Sequence, residues 1–339
     1  MNTSNTSALL LLIFFWSSFQ TKPLPDAKSL RKELPHFVRI FTSGESALNG
    51  ATSTNFNLFG TLPVDEALSR YSYIETHTTV VSEAKGKPQP RETAVYQVIR
   101  GPEEWQLYRR RISKNGVPLS AKELEKQDSD QKARDERERA RRKRIQEQTA
   151  KVDPGKSARE ERKEKQNASE EAKRDDEIRA LYELQVAWGE PIDGRPTILL
   201  TLKAKNDFKP KVLSDLELKA TLLEGTLIHL WITQNEHEVV RAIAEVVDAP
   251  INLNLGAFGG QLGLGKLTFN KGTKISFERR LINNEAWLPI KTTMDLDIGY
   301  RALVLVHGTG KAHLITEYSD FKKYDVDTIL KFGEPYVSK

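Results

Sequence analysis

A chain of 339 residues is long enough for one large sheet domain or two smaller ones, so length by itself leaves the domain count open. The absence of cysteine excludes disulfides, a thiolate metal site and a lipid carried on an amino-terminal Cys, and leaves stability to the core. A net charge of +5 is the small difference between 52 basic and 47 acidic side chains, a mixed surface that makes no case for nucleic-acid binding.

Residues 1–23 begin polar, run apolar from 8 to 16 and turn polar again, which is the layout of a secretory signal. The apolar run is shorter than the roughly 20 residues a membrane-spanning helix needs. The expectation is export to the periplasm. An uncleaved anchor, and so membrane association, is the alternative, because the leader holds no Lys or Arg and ends in a poor cleavage site. Residues 24–62 form a variable amino-terminal segment: 26–41 reads as a helix broken at Pro35, and 49–59, rich in Asn, Thr, Ser and Gly, reads as loop. A short helix is expected over 64–70.

From residue 63 to 120 the pattern becomes period two. Tyr71, Tyr73, Glu75, His77 and Thr79 alternate with Ser72, Ile74, Thr76, Thr78 and Val80 in a run rich in β-branched and aromatic residues, as a strand requires. Residues 91–100 and 105–112 read as the next strands of a meander, punctuated by Gly101-Pro102.

Residues 121–178 are a charged helical insertion. Well over half of 121–175 is Asp, Glu, Lys or Arg, so the segment has almost nothing to bury. Acid/base pairs at helical spacing, such as Glu138 with Arg142, predict a solvated helix over 121–150. Asp153-Pro154-Gly155 breaks it, and a second charged segment runs toward Arg179. The cluster Arg139, Arg141, Arg142, Lys143 and Arg144 has the composition of a grip on nucleic acid or anionic headgroups, but the interleaved acids favour an insertion joining two strands. No apolar heptad is sustained for a coiled-coil partner.

Residues 179–325 return to strands, expected at 182–188, 197–204, 226–233, 239–247, 274–281, 287–298, 301–307 and 312–318, before a tail over 326–339. Turn chemistry separates them at Asp193-Gly194, Gln234-Asn235-Glu236, Asn283-Asn284-Glu285 and Gly308-Thr309-Gly310. Short connections force antiparallel neighbours. The predicted fold is mainly β (α+β): one large curved antiparallel sheet of about ten or eleven strands, with few covering helices.

The expected catalytic sites do not assemble. Gly260-Gln261-Leu262-Gly263-Leu264-Gly265-Lys266 matches a phosphate-binding loop only loosely, since Leu267 stands where a hydroxyl is required and Leu267-Thr268-Phe269 reads as strand. The run 256–265, with Gly256, Gly259, Gly260, Gly263 and Gly265, is better read as a gate loop over the hollow. His36, His77, His229, His237, His307 and His313 make no metal-ligand pattern, though His307 and His313 flank the 308–310 turn as if to meet across a hairpin. Asp295 and Asp297 share a strand face and read as solvated. No cofactor, metal or catalytic residue is expected.

The order of these pieces resembles the outer-membrane lipoprotein-sorting proteins of the LolA-like superfamily, in a variant with a charged insertion. The resemblance rests on Ala67-Leu68-Ser69-Arg70-Tyr71-Ser72-Tyr73, on Tyr108-Arg109-Arg110-Arg111-Ile112 followed by Asn115-Gly116-Val117-Pro118-Leu119-Ser120, and on Leu230-Trp231-Ile232 with Val239-Val240-Arg241. It continues through Asn283-Asn284-Glu285-Ala286-Trp287-Leu288-Pro289 to Thr316-Glu317-Tyr318-Ser319-Asp320-Phe321. It implies a half-barrel whose apolar hollow shelters acyl chains of a lipid or lipoprotein. Trp188, Leu200, Trp231, Phe277, Trp287 and Met294 are the candidate wall residues. The partners implied are acyl chains or lipoproteins, with envelope proteins reached through the insertion and contact with a membrane surface; a sensor or regulatory module and an envelope hydrolase are the alternatives.

Overall fold

The computed structural model describes residues 24–42, 67–83, 91–101, 103, 106–149, 154–205, 208–209, 211, 225–248, 250–254, 265–302 and 306–323. The expected signal over 1–23, the loop over 49–59, the tail over 326–339 and the gate glycines Gly256, Gly259, Gly260 and Gly263 lie outside the described residues.

Strands β1 (Tyr71–Glu83), β2 (Glu92–Arg100), β3 (Leu107–Lys114) and β4 (Val117–Pro118) form the first meander, entered by a 3-10 turn at Leu68–Arg70. The β3–β4 hairpin turns through Asn115 and Gly116, both at positive φ (52° and 77°), the pairing a two-residue type I′ turn demands. After helices α2 (Ala121–Thr149) and α3 (Pro154–Leu181) come β5 (Tyr182–Trp188), β6 (Thr197–Ala204), β7 (Thr226–Thr233), β8 (Val239–Val246), β9 (Ile251–Asn254), β10 (Gly265–Phe269), β11 (Lys274–Ile282), β12 (Ala286–Ala302) and β13 (Val306–Lys323). All the strand pairs are antiparallel, in one 13-stranded sheet ordered β4-β3-β2-β1-β13-β12-β11-β8-β7-β6-β5, with β9 and β10 appended to β12. The ends of this order, β4 and β5, do not pair with each other, so the sheet stays an open half-barrel.

Three expectations are corrected. The strand foreseen over 301–307 and the turn over 308–310 do not exist as such: β13 runs unbroken through Gly308 and Gly310, which pair with Tyr300 and Ile298 of β12. Glycine at these positions weakens a strand locally, but pairing with β12 along the whole stretch, and with β1 at Gly310, holds it in the ladder. His307 and His313 therefore sit on the same strand, and His313 instead pairs with Asp295, its register partner on β12. The third correction is helix α1 (Ala27–Thr42), which continues through Pro35.

Leu30, Leu34, Phe37 and Val38 form one fully buried stripe of α1 and share a core with Ile198, Leu200, Leu202, Ile228, Leu230, Ala242 and Phe277 of the sheet. Burying four large side chains is worth on the order of 6–12 kcal/mol, which outweighs the roughly 3 kcal/mol that a proline costs inside a helix. Arg31 fastens the helix by donating to the carbonyls of Arg179 (2.9 Å) and Tyr182 (3.1 Å) at the α3–β5 junction.

Helix α2 opens with a capping box, Ser120 Oγ and Glu123 closing on each other. Its first turns guard the exposed edge of β3. The Gln127 side chain accepts from the Arg111 N–H and donates to the Arg111 carbonyl, both at 3.0 Å, as a neighbouring strand would. Asp128 accepts from Tyr108 (2.7 Å) and Arg110 (2.8 Å). At the far end, Ile178 and Leu181 of α3 enter the core beneath α1.

Candidate functional site

Pairing register fixes which side chains share a face, because partners across a ladder project the same way. One row crosses nine strands: Val186, Leu200, Leu230, Ala242, Phe277, Thr292, Thr316, His77 and Ala94. This is the face on which α1 lies, here called the inner face. Its neighbouring row runs Leu202, Ile228, Ala244, Ile275, Met294, Leu314 and Thr79.

The inner face changes character along these rows. Under α1 it is sealed. A second cluster joins Val246, Ile251, Leu267, Phe269 and Ile275 with the partly exposed Met294 and Ile298. Leu296 and Leu314 are likewise only partly buried. A third cluster holds Tyr71, Tyr73, Val98 and Leu288, with Tyr318 and Phe321 packed against it. The Tyr73 ring lies 5.9 Å from both Tyr318 and Phe321.

Against this apolar ground stands one polar network. Glu75, 8% exposed, accepts from Arg109 Nε at 2.5 Å and lies 3.0 Å from His77 Nε2. Arg109 also reaches His77 Nε2, and its guanidinium covers the Tyr96 ring at 4.3 Å. His77 Nδ1 meets Thr316 Oγ1 at 3.3 Å. Burial pushes the Glu75 carboxyl up, but the hydrogen bond from His77 and the charge of Arg109 more than offset this and hold it below the usual range. Burial, and then the charge of Glu75, push the Tyr318 phenol up to about 12, and Tyr73 rises for the same reasons.

Thr316, His77 and Glu75 thus form a chain of polar contacts closed by Arg109. Glu75 and Arg109 both meet His77 at Nε2, leaving Nδ1 to Thr316 Oγ1 at 3.3 Å. Glu75, held ionised, acts as a counter-ion. Among the described residues no group of three or more His, Cys, Asp or Glu is placed to hold a metal.

The six candidate wall residues separate. Leu200 (0% exposed) and Phe277 (2%) are inner-face core beneath α1, and Met294 lies on the same face outside that cover. Trp188 pairs with Ile198, so it shares the inner face at the outer end of β5 and is 38% exposed. Trp231 is corrected to the opposite face: it pairs with Leu199 and Arg241, whose guanidinium lies 5.4 Å from the ring. The alternation of β7 admits only one set, Ile228-Leu230-Ile232, under the helix. Trp287, past a register shift in β11–β12, borders a separate groove of about 640 Å³ with Tyr71, Arg279 and Lys323. Ion pairs Lys323–Glu285 (2.6 Å) and Arg279–Glu238 (3.5 Å) edge that groove. Gly265 is the first residue of β10, and Leu267 pairs there with Leu253 and Tyr300, so the glycine-rich run leads into a strand.

The Glu75–His77–Arg109 network joins residues 34 and 32 positions apart and carries no motif of its own. Its signal was present: Glu75 and His77 continue the alternation of Tyr71 and Tyr73, which places two ionisable groups on the aromatic face of β1.

No family model matches the chain, and no curated protein matches it. Three solved structures do. A DUF1329 family protein from Desulfovibrio piger is 13% identical, with 78% of this chain and 89% of that one covered and a TM-score of 0.22. A LolA superfamily protein from Nitrosomonas europaea is 12% identical over 76% and 87%, with a TM-score of 0.21. A candidate outer membrane lipoprotein-sorting protein domain from Vibrio parahaemolyticus is 10% identical over 77% and 87%, with a TM-score of 0.22.

Proposed function

We propose that the protein is a periplasmic carrier that shelters the acyl chain of a lipid or lipoprotein on the inner face of its half-barrel. The observation that carries this reading is a run of partly exposed apolar residues on the inner face, Met294, Leu296, Ile298 and Leu314, next to a core cluster distinct from the one that Leu30, Leu34, Phe37 and Val38 of α1 join. Apolar surface of this kind, continuous with a core, marks a binding face more often than idle surface. Each methylene buried there gains about 0.8 kcal/mol, so a long acyl chain gains on the order of 10 kcal/mol before ordering costs, with no polar contact required. Periplasmic residence is supported by the signal-like residues 1–23. No described helix is long and apolar enough to cross a membrane.

Mass spectrometry of lipid extracted from the protein purified out of native membranes tests the reading: stoichiometric acyl lipid is expected, and Met294→Lys, with its fold checked by circular dichroism, should retain far less of it. A wild-type protein that returns no acyl lipid, and takes up none when offered, would sink it.

A second reading, an interaction module, is supported by α2 and α3. Their 29 and 28 residues are rich in charge, and the contacts among described residues that bind them to the fold lie toward the start of α2, as far as Arg139 with Glu103, and the end of α3. Removing the outer part of the pair should abolish capture of an envelope protein and leave lipid uptake intact if this arm is a docking element.

A further inference from the structure

The last residue of β2, Arg100, continues the inner-face alternation of Tyr96 and Val98 on its strand, and Val98 pairs with Tyr73. It is only 8% exposed, yet its side-chain Nε and Nη2 have no hydrogen-bond acceptor. The Glu75 carboxylate on the same face is already engaged by Arg109 and His77. The phenol beside it, Tyr73, stays protonated because burial holds its pKa far above neutral, so it supplies no charge. Arg does not shed its proton in a protein, and a buried, unpaired guanidinium costs several kcal/mol. A fold that tolerates such a cation at the edge of a ligand face has placed a donor fork without its acceptor.

Resting on the acyl-carrier reading, we propose that Arg100 is the anion-taking group of a headgroup subsite: the carboxylate or phosphate oxygens of an acyl-chain ligand occupy its free donors. The position suits this. Arg100 stands at the Tyr71–Tyr73 end of the inner face, whereas Leu314 and Met294 lie in the row of Thr79. Six residues of strand from Tyr73 to Thr79 span about 20 Å, room for an extended chain between an anchored head and an apolar bed. Tyr73, Tyr318 and Phe321 would flank the first methylenes.

Palmitate, methyl palmitate and inorganic phosphate, titrated into the full-length wild type, Arg100→Met and Arg100→Lys, decide the matter. The wild type is expected to bind palmitate at least about tenfold tighter than the uncharged ester, the size of a charge-assisted hydrogen bond. That ratio should fall to near one in Arg100→Met with ester affinity unchanged, and Arg100→Lys should retain part of it. Equal wild-type affinity for palmitate and ester overturns the headgroup subsite and leaves the carrier reading standing. Failure to bind either chain overturns the carrier reading itself. Phosphate that raises the melting temperature of the wild type but not of Arg100→Met, with palmitate and ester binding alike, assigns the donors to a free anion and overturns the lipid headgroup.

Discussion

Glu75 shows how a single side chain couples the stability of the sheet to pH. Its folded carboxyl titrates below the ordinary value of 4.5, so it stabilises the fold fully above that pH and loses this contribution as pH falls through the depressed folded value. Glu75→Gln is expected to cost about 1–3 kcal/mol at neutral pH and to flatten the acid limb of stability below pH 4.5, measured by urea unfolding across pH 2–7. His229 acts at higher pH. Burial lowers its pKa from the usual 6.5, so the unfolded chain takes up the proton first and stability declines as pH falls below about 6.5. In His229→Asn that decline should be smaller over pH 5–7. Within the α1 stripe, Leu34 is fully buried, and Leu34→Ala should cost about 2–5 kcal/mol by the same measurement.

At the scale of elements, the charged pair α2 and α3 divides into anchors and a solvated span. Gln127 and Asp128 tie α2 to β3, and Ile178 and Leu181 tie α3 to the core. Between them the ion pairs Arg142–Glu138 and Arg139–Glu103 are exposed and contribute little. Replacing residues 132–170 by a short flexible linker is expected to leave the melting temperature within about 2 °C of wild type by calorimetry. Gln127→Ala, by contrast, strips both hydrogen bonds from the Arg111 peptide and bares the β3 edge, with a loss of about 1–2 kcal/mol and a rise in self-association seen by light scattering.

Over the whole molecule the decisive feature is division of the inner face. One part is closed by α1, one is apolar and partly open, and one carries the Glu75–His77–Arg109 network with Arg100 beside it. An even, fully covered core would serve stability better. The uneven one leaves an oily surface bordered by cationic and aromatic groups, which is what an amphipathic ligand requires.

Local pattern alone determined much of this. The strands at 182–188, 197–204 and 226–233 were legible to the residue, because alternation and turn residues act over a few neighbours. The glycines at 308 and 310 misled, since their local preference for a turn yields to pairing with β12, a partner set by the whole ladder. Pro35 misled in the same way: no local term anticipates a sheet waiting beneath the helix. Which face is inner, why Trp231 parts from Leu200, and how Glu75 finds Arg109 were decided only in three dimensions. Each depends on the register between strands far apart in sequence, where a slip of one residue would exchange every inward side chain for an outward one.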